Sequence, residues 1–142
     1  MYDPMLVQPM REDVTRLGYQ ELKTPEDVDA ALKAPGTAFV FINSVCGCSA
    51  GGARPALALA SKHETQPDRL TTAFAGNDAA ATKQARSYFT GFAPSSPSMA
   101  LIKDGELVWM LERWQIEGRH PIEIANAIKE AFDKHCAVKA EA

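Results

Sequence analysis

Hydrophobic and polar residues alternate along the chain in short blocks that predict a series of strands and helices. The most apolar block, Thr37 to Asn43, is a continuous run rich in β-branched and aromatic residues and bounded by turn residues. Such a run is typical of a strand covered on both faces in a parallel sheet. The predicted strands are Tyr19 to Leu22, Thr37 to Asn43, Leu70 to Ala75, Ser98 to Lys103 and Glu106 to Leu111.

Helices are predicted between these strands, where apolar residues recur at spacings of three and four positions. Thr24 and Pro25 open one helix, because threonine caps a helix N-terminus and proline suits the first helical position. The predicted helices are Met10 to Leu17, Pro25 to a stop at Pro35-Gly36, Ala56 to His63, a helix capped by Asn77 or Asp78 that ends near Phe89, and Pro121 to His135 with Ile122, Ala125, Ile128, Ala131 and Phe132 facing inward.

This order predicts an α/β fold: a three-layer α/β/α sandwich around a mixed sheet, with an extra N-terminal helix and a C-terminal hairpin and helix. Asp104-Gly105 is a strong two-residue turn for that hairpin. Because parallel crossovers are right-handed, the helix after Asn43 should leave from the carboxyl edge of a central strand. Open α/β sheets place their sites at that edge.

Composition narrows the class of protein. A chain of 142 residues with 46% hydrophobic and 23% charged side chains predicts one domain over residues 1–142. The net charge of −3 argues against a nucleic-acid partner. The longest apolar stretch, Ala38 to Ile42, is far shorter than the roughly 20 residues of a membrane span. The first residues lack the features of a signal peptide, so a cytoplasmic protein is expected, with its three cysteines kept reduced.

Cys46-Gly47-Cys48 lies at the predicted junction between the central strand and its helix. Residues two apart on a helix point about 200° away from each other, so at least one cysteine must precede the helix if the two are to bond. Gly47 relaxes the backbone enough to close a small, strained ring, which favours disulfide exchange over a structural staple. The alternative is that both cysteines are small buried hydrophobes.

The amides of a helix N-terminus stabilise a thiolate, so the cysteine nearer the exposed loop, Cys46, is predicted to be the nucleophile. Cys48 can then attack a mixed disulfide formed at Cys46 and release the bound thiol. A second feature, Ser95-Ser96-Pro97-Ser98, leads into a strand, where Pro97 marks either the first residue or a cis turn. We expect Ser96 and Pro97 to present backbone groups to a substrate beside Cys46; an ordinary loop proline is the alternative.

Other chemistry-bearing residues carry weaker signals. The histidines are scattered, and three cysteines form no familiar zinc spacing, so no metal site is predicted. Cys136 is interpreted as a packing or surface residue near the end of the last helix. Trp109 and Trp114 are interpreted as core or edge packing beside the hairpin, and the alternative is that they line a substrate surface. Lys83 and Arg86 are expected on a solvated helix face.

Taken together, these motifs resemble the thioredoxin fold and, more specifically, the bacilliredoxin family over nearly the whole chain. The segments that carry the resemblance are Pro9-Met10-Arg11-Glu12, Asn43-Ser44-Val45-Cys46-Gly47-Cys48, Ala53-Arg54-Pro55, Phe74-Ala75-Gly76, Ser95-Ser96-Pro97-Ser98-Met99-Ala100-Leu101 and Ile116-Glu117-Gly118. The resemblance implies removal of bacillithiol from bacillithiolated cytosolic proteins, with Cys46 as the attacking thiol. It implies no bound cofactor, bacillithiol as co-substrate, and a bacillithiol disulfide reductase for recycling.

Two departures from ordinary thioredoxins bear on the mechanism. The motif has one intervening residue instead of two, and Val40 occupies roughly the position of the buried thioredoxin acid. Whether Asn43, Ser44 or Arg54 tunes the thiolate instead is left open by the sequence. Three alternatives also stay open: a general protein disulfide reductase or isomerase, a module that binds a soft metal through the cysteine pair, and a non-catalytic interaction domain on the same scaffold.

Overall fold

A five-stranded mixed sheet forms the centre of the computed structural model, which describes residues 1–136. The strands are β1 (Gln20–Glu21), β2 (Thr37–Asn43), β3 (Arg69–Phe74), β4 (Ser98–Lys103) and β5 (Glu106–Leu111). The strand order is β1-β3-β2-β4-β5. β2 pairs with β3 in parallel and with β4 antiparallel, β1 pairs with β3 in parallel, and β5 completes an antiparallel hairpin with β4.

The predicted central strand is confirmed, because β2 lies in the middle of the sheet and all seven of its residues are buried. The bounds predicted for β2, β4 and β5 agree with the structure. The hairpin turn at Asp104 and Gly105 is also confirmed, with φ values of 52° and 84°. Both values lie in the left-handed region that a type I′ turn requires.

Helices cover both faces of the sheet, as predicted. Alternate residues of β2 point to opposite faces, so Phe39 and Phe41 pack in one core cluster while Val40 and Ile42 pack in the other. The helices are α1 (Pro4–Thr15), α2 (Pro25–Leu32), α3 (Arg54–Ala60), α4 (Ala79–Arg86), α5 (Arg113–Ile116) and α6 (Pro121–His135). The first cluster contains residues of α1, α3, α5 and α6, and the second contains residues of α2 and α4.

Local signals explain where most of these helices begin. Thr24 accepts a hydrogen bond from the Asp27 amide, and the Asp27 carboxylate accepts one from the Thr24 amide, which makes a reciprocal capping box at the start of α2. Asp78 occupies the N-cap position of α4, as predicted, but its side chain makes no capping hydrogen bond. Its carboxylate is instead bound by Arg11 and the Phe74 amide.

Several details differ from the sequence prediction. α3 lies at Arg54–Ala60 instead of Ala56 to His63, and α4 ends at Arg86 instead of near Phe89. α1 begins at Pro4 and not near Met10, because Asp3 caps it through the Met5 amide and Pro4 takes the first helical position. Ile122 was predicted to face inward but is 55% exposed, and Ile124 is buried in its place. Ile122 lies in the first turn of α6, where the chain enters from solvent. The short helix α5 after the hairpin was not predicted.

Between residues 1 and 136, the structure contains no helix with the length and apolar character needed to cross a membrane.

Candidate active site

The cysteine motif lies where β2 passes into a helix, as predicted. Cys46 sits in the bend after β2, and helical backbone begins at residues 47–48. A π-helical turn, Ser49–Ala53, then leads into α3. Pro55 explains this wider turn, because a proline ring in a helix clashes with the carbonyl group four residues earlier, which here is that of Gly51. Gly51 and Gly52 have no side chains that would hinder the wider backbone path. The two cysteines therefore meet the condition that at least one of them precedes the regular helix.

The sulfurs of Cys46 and Cys48 lie 2.7 Å apart as thiols, without a disulfide bond. The hydrogen bond with the Cys48 thiol lowers the pKa of Cys46. The backbone amides of Cys48 and Ser49 and the positive charge of Arg113 act in the same direction, against the opposing effect of burial. Burial raises the pKa of Cys48, and its contact with the Cys46 sulfur raises it further. The pair therefore loses its first proton from Cys46 and keeps the second on Cys48.

Gly47 is exposed between the two cysteines. A Cβ atom at this position would meet no atom of the described chain within 4 Å, and its φ lies outside the left-handed region. In this reduced state the glycine is not required by a turn or by a close contact. It leaves open surface beside both sulfurs, which suits the approach of a second molecule.

The Arg54 side chain stabilises the cysteine loop through hydrogen bonds. This side chain is only 6% exposed, and its Nη1 donates hydrogen bonds to Asn43 Oδ1 at 3.0 Å, the Ser44 carbonyl at 3.0 Å and Ser49 Oγ at 3.2 Å. Ser44 Oγ in turn accepts a hydrogen bond from the Cys46 amide at 3.0 Å. Asn43, Ser44 and Arg54 thus hold the backbone that presents Cys46, whereas Arg113 is the side chain whose charge acts on the thiolate.

The Ser95 to Ser98 segment lies beside the cysteines, with a cis peptide bond between Ser96 and Pro97 immediately before β4. Of the two alternatives predicted for Pro97, the cis turn is the one found, and the strand itself begins one residue later, at Ser98. Pro97 is buried, while Ser96 lines a cleft of about 330 Å³ together with Cys46. The cleft forms at the edge of the sheet where β2, β3 and β5 end and β4 begins.

Two arginines that line this cleft, Arg86 and Arg113, were not assigned to the site from the sequence. Lys83 is exposed as expected, but the prediction of a solvated Arg86 is wrong, because Arg86 is half-buried and donates from Nη2 to the Ser95 carbonyl at 3.2 Å. It lies one turn after buried Thr82, on the inner face of α4. The hairpin register offered a signal for Arg113: extending the pairing of Met99 with Leu111 by two residues places it opposite Pro97.

The remaining sequence candidates lie apart from the cleft. Trp109 stacks against Phe39 in the core with ring centroids 6.3 Å apart, as expected, whereas Trp114 is 70% exposed and was wrongly predicted to pack. Cys136 is half-buried at the end of α6 and packs against the first core cluster. Within residues 1–136, no group of three or more His, Cys, Asp or Glu side chains is arranged to hold a metal ion.

We expect replacement of Arg113 by glutamine to raise the pKa of Cys46, because the mutation removes a positive charge that stabilises the thiolate. At a pH below that pKa, alkylation of Cys46 by iodoacetamide should become slower by a few-fold. Ultraviolet absorbance of the thiolate during a pH titration measures the shift directly. The difference from the unmodified chain should narrow as salt is added, since Arg113 is exposed to solvent screening.

Two further variants control this experiment. Arg113→Lys keeps the charge and should retain most of the lowered pKa. Arg119→Gln changes an arginine whose nearest ion pair is with Glu123, at 3.9 Å, and should leave the titration of Cys46 unaltered. An Arg113→Gln titration curve that overlays that of the unmodified chain would contradict the assignment.

Comparison with known proteins agrees with this geometry. Residues 2–136 match the protein family described as disulphide isomerase. A bacilliredoxin of Halalkalibacterium halodurans is 51% identical over 132 residues, which cover 93% of this chain and 91% of that protein. A bacilliredoxin of Staphylococcus aureus is 49% identical over 136 residues, covering 96% and 94% of the two chains.

Among solved structures, the chain is similar to a thioredoxin of Malassezia sympodialis, with a TM-score of 0.59 and 9% identity over 82% of this chain and 90% of that one. It is also similar to mitochondrial thioredoxin 3 of Saccharomyces cerevisiae, with a TM-score of 0.57 and 14% identity over 86% and 98% of the two chains. At these identities the likeness establishes the fold, which is thioredoxin-like.

The fold, the cysteine pair and the sequence relatives together define a thiol-disulfide oxidoreductase. The match extends through the Cys-Gly-Cys motif and covers almost all of the described chain. The chain belongs to the bacilliredoxin family.

Proposed function

We propose that this chain removes bacillithiol from mixed disulfides on cytosolic proteins. The observation that carries the proposal is a thiol with a lowered pKa, Cys46, that lies 2.7 Å from a second thiol whose pKa is raised, at the mouth of an open cleft. This arrangement provides an attacking thiolate and a reserve thiol in one site. Relatives named bacilliredoxins, about half identical to this chain, support bacillithiol as the co-substrate.

The chemistry proceeds through two exchanges. The Cys46 thiolate attacks the bacillithiol sulfur of the mixed disulfide, and the sulfur of the substrate protein leaves as a thiolate that takes up a proton. Cys48 then loses its proton and attacks the Cys46 sulfur, so that bacillithiol leaves and takes up a proton. The substrate disulfide is reduced by two electrons, and Cys46 and Cys48 are oxidised to a disulfide.

Recycling requires two further electrons. Two molecules of a low-molecular-weight thiol can reduce the Cys46–Cys48 disulfide and become oxidised to their own disulfide. A bacillithiol disulfide reductase is the partner that we propose for regenerating that thiol. The substrate itself is proposed to lie against Gly47, Ser96 and Pro97, because Gly47 is open surface and Ser96 lines the cleft beside Cys46.

A general protein disulfide isomerase is the second candidate, since the family that residues 2–136 match is described by that activity. The two activities differ in whether the attacked disulfide contains a small thiol. Initial rates on a bacillithiolated protein and on a protein with scrambled disulfides, measured side by side at equal concentrations, distinguish them. Our proposal requires the first rate to exceed the second.

We expect the Cys48→Ser variant to retain the first exchange and to accumulate bacillithiol on Cys46, because the second thiol that would release it is absent. Incubation with a bacillithiolated protein, followed by intact-protein mass spectrometry, should show one added bacillithiol per chain. A Cys136→Ser variant is the matched control, since it removes a cysteine at the distant end of α6 and should accumulate no adduct. An adduct on Cys48 of a Cys46→Ser variant, formed at an undiminished rate, would reverse the two roles.

A further inference from the structure

The charged side chains that line the cleft beside Cys46 are positive. Arg86 and Arg113 line it, and no Asp or Glu of residues 1–136 is among its lining side chains. The cleft is large enough, at about 330 Å³, to admit a small thiol. The electrostatic environment next to the attacking sulfur therefore favours a negatively charged group.

Both guanidinium groups are held in place by the same short segment. Arg86 donates from Nη2 to the Ser95 carbonyl at 3.2 Å, and Arg113 donates from Nη1 to the Ser96 carbonyl at 3.3 Å. The Arg113 amide also contacts Ser95 Oγ at 3.4 Å. Two consecutive carbonyls thus position two arginines that come from different helices, α4 and α5. Such preorganisation reduces the entropy lost when a ligand binds.

Both arginines have N–H groups that are available to donate hydrogen bonds to a ligand. A guanidinium carries five N–H groups, and the buried Nε of Arg86 has no hydrogen-bond partner among the described residues. Burial also lowers the pKa of Arg86, because it removes water from around the guanidinium group. Arg113 has a carboxylate neighbour, Glu117, but their 3.5 Å contact joins two substantially exposed side chains. Such a surface pair is weak, so Glu117 can yield to a ligand.

We propose that Arg86 and Arg113 form an anion subsite that selects mixed disulfides whose small-thiol half carries a carboxylate. This inference rests on the proposed function, because it assumes that Cys46 attacks the small-thiol sulfur in this cleft. Guanidinium groups bind carboxylates through paired, charge-assisted hydrogen bonds, which a neutral thiol cannot offer. The subsite would orient the small thiol with its sulfur toward Cys46 and the substrate protein toward solvent.

The test uses one peptide joined through a disulfide to three small thiols of different charge. 3-Mercaptopropionate supplies the anion, 2-mercaptoethanol the neutral probe and cysteamine the cation. Release of peptide thiol gives kcat/KM for each probe, and each value is divided by the rate of the same probe with dithiothreitol to remove intrinsic reactivity. We expect the unmodified chain to prefer the anionic probe over the neutral one by roughly tenfold, and the cationic probe to be the poorest.

Three variants connect this preference to the arginine. Arg86→Gln should remove most of the preference for the anionic over the neutral probe, while Arg86→Lys should retain part of it. Lys83→Gln, which removes an exposed charge from the same helix, should leave the ratio unchanged. A purely structural role of Arg86 in holding Ser95 would change all three rates together and leave the ratio intact.

The outcomes separate the subsite from the activity. Equal corrected rates for the three probes, or an Arg86→Gln variant with an undiminished ratio, overturn the anion subsite and leave the proposed function standing. Failure to release peptide thiol from every probe, and from a bacillithiolated protein, overturns the proposed function together with the subsite. A preference that weakens as ionic strength rises supports the electrostatic origin.

Discussion

Replacing Cys46 by serine is expected to reduce thiol transfer from a bacillithiolated protein to the uncatalysed rate, a loss of at least roughly 10³-fold. A serine hydroxyl stays protonated at neutral pH and cannot form a disulfide, so the first exchange has no nucleophile. The pKa of Cys46 is lowered by Cys48, by nearby backbone amides and by Arg113. These groups cannot compensate for the substitution, because the pKa of a serine hydroxyl lies far above neutral pH. Time courses of debacillithiolation, followed by mass spectrometry of the substrate, measure this loss.

The substitution should leave the fold intact, because Cys46 is half-exposed in a bend and serine is nearly the same size. Circular dichroism and a thermal melt check this. Cys136→Ser provides the cysteine-count control and should keep the rate of the unmodified chain. Retention of activity in Cys46→Ser together with its loss in Cys48→Ser would show that the attacking thiol has been assigned to the wrong cysteine.

Replacing Arg54 by methionine is expected to lower the free energy of unfolding by about 2–4 kcal/mol. Methionine fills much of the same volume but donates no hydrogen bond, so it leaves Asn43 Oδ1, the Ser44 carbonyl and Ser49 Oγ without the donor that they share. These acceptors lie in a buried environment where loss of a partner is costly. Urea unfolding followed by fluorescence gives the difference.

Arg16→Met is the matched control for this variant. Both arginines pair with Asp13, Arg54 at 3.5 Å and Arg16 at 2.8 Å, but the Arg16 side chain is 65% exposed. Its replacement should change the unfolding free energy by no more than about 0.5 kcal/mol. Equal unfolding midpoints for Arg54→Met and the unmodified chain would mean that the buried acceptors find other donors. Because Arg54 holds the backbone that carries Cys46, we also expect the destabilised variant to exchange thiols more slowly.

Several parts of the site could be predicted because their causes are local. The run Thr37–Asn43 carries its own strand propensity, and the glycines and proline that follow Cys48 signal an irregular start to the next helix. A proline cannot occupy the interior of a central strand, which agrees with the position of Pro97 directly before β4. The positions of Cys46, Cys48 and Pro97 relative to the strands and helices could therefore be predicted from the sequence.

The contacts of the three site arginines could not be predicted from their neighbours in the sequence. The sequence associates Arg54 with the motif only through the family resemblance, predicts a solvated Arg86 and does not single out Arg113. An arginine in a helical pattern is usually exposed, and nothing in the neighbouring residues shows that Arg86 is close enough to contact Ser95. For Arg113, the turn at Asp104 and Gly105 predicts the neighbourhood, but an irregularity between Leu101 and Ile102 shifts the pairing of β4 with β5.

The amino-acid sequence by itself determined the order of the five strands and of every helix except α5, the thioredoxin-like class of the fold and the pair of cysteines on which the chemistry centres. The order of elements and the cysteine pair follow from residue periodicity, turn residues and spacing along the chain, and the thioredoxin-like class follows from the resemblance of the motifs to a known family. Only the tertiary structure decided which charges surround the sulfurs, because Arg54, Arg86 and Arg113 approach the cysteine loop from three different helices. Electrostatic effects depend on distance in space and on burial, and both quantities are defined only when the helices have packed against the sheet.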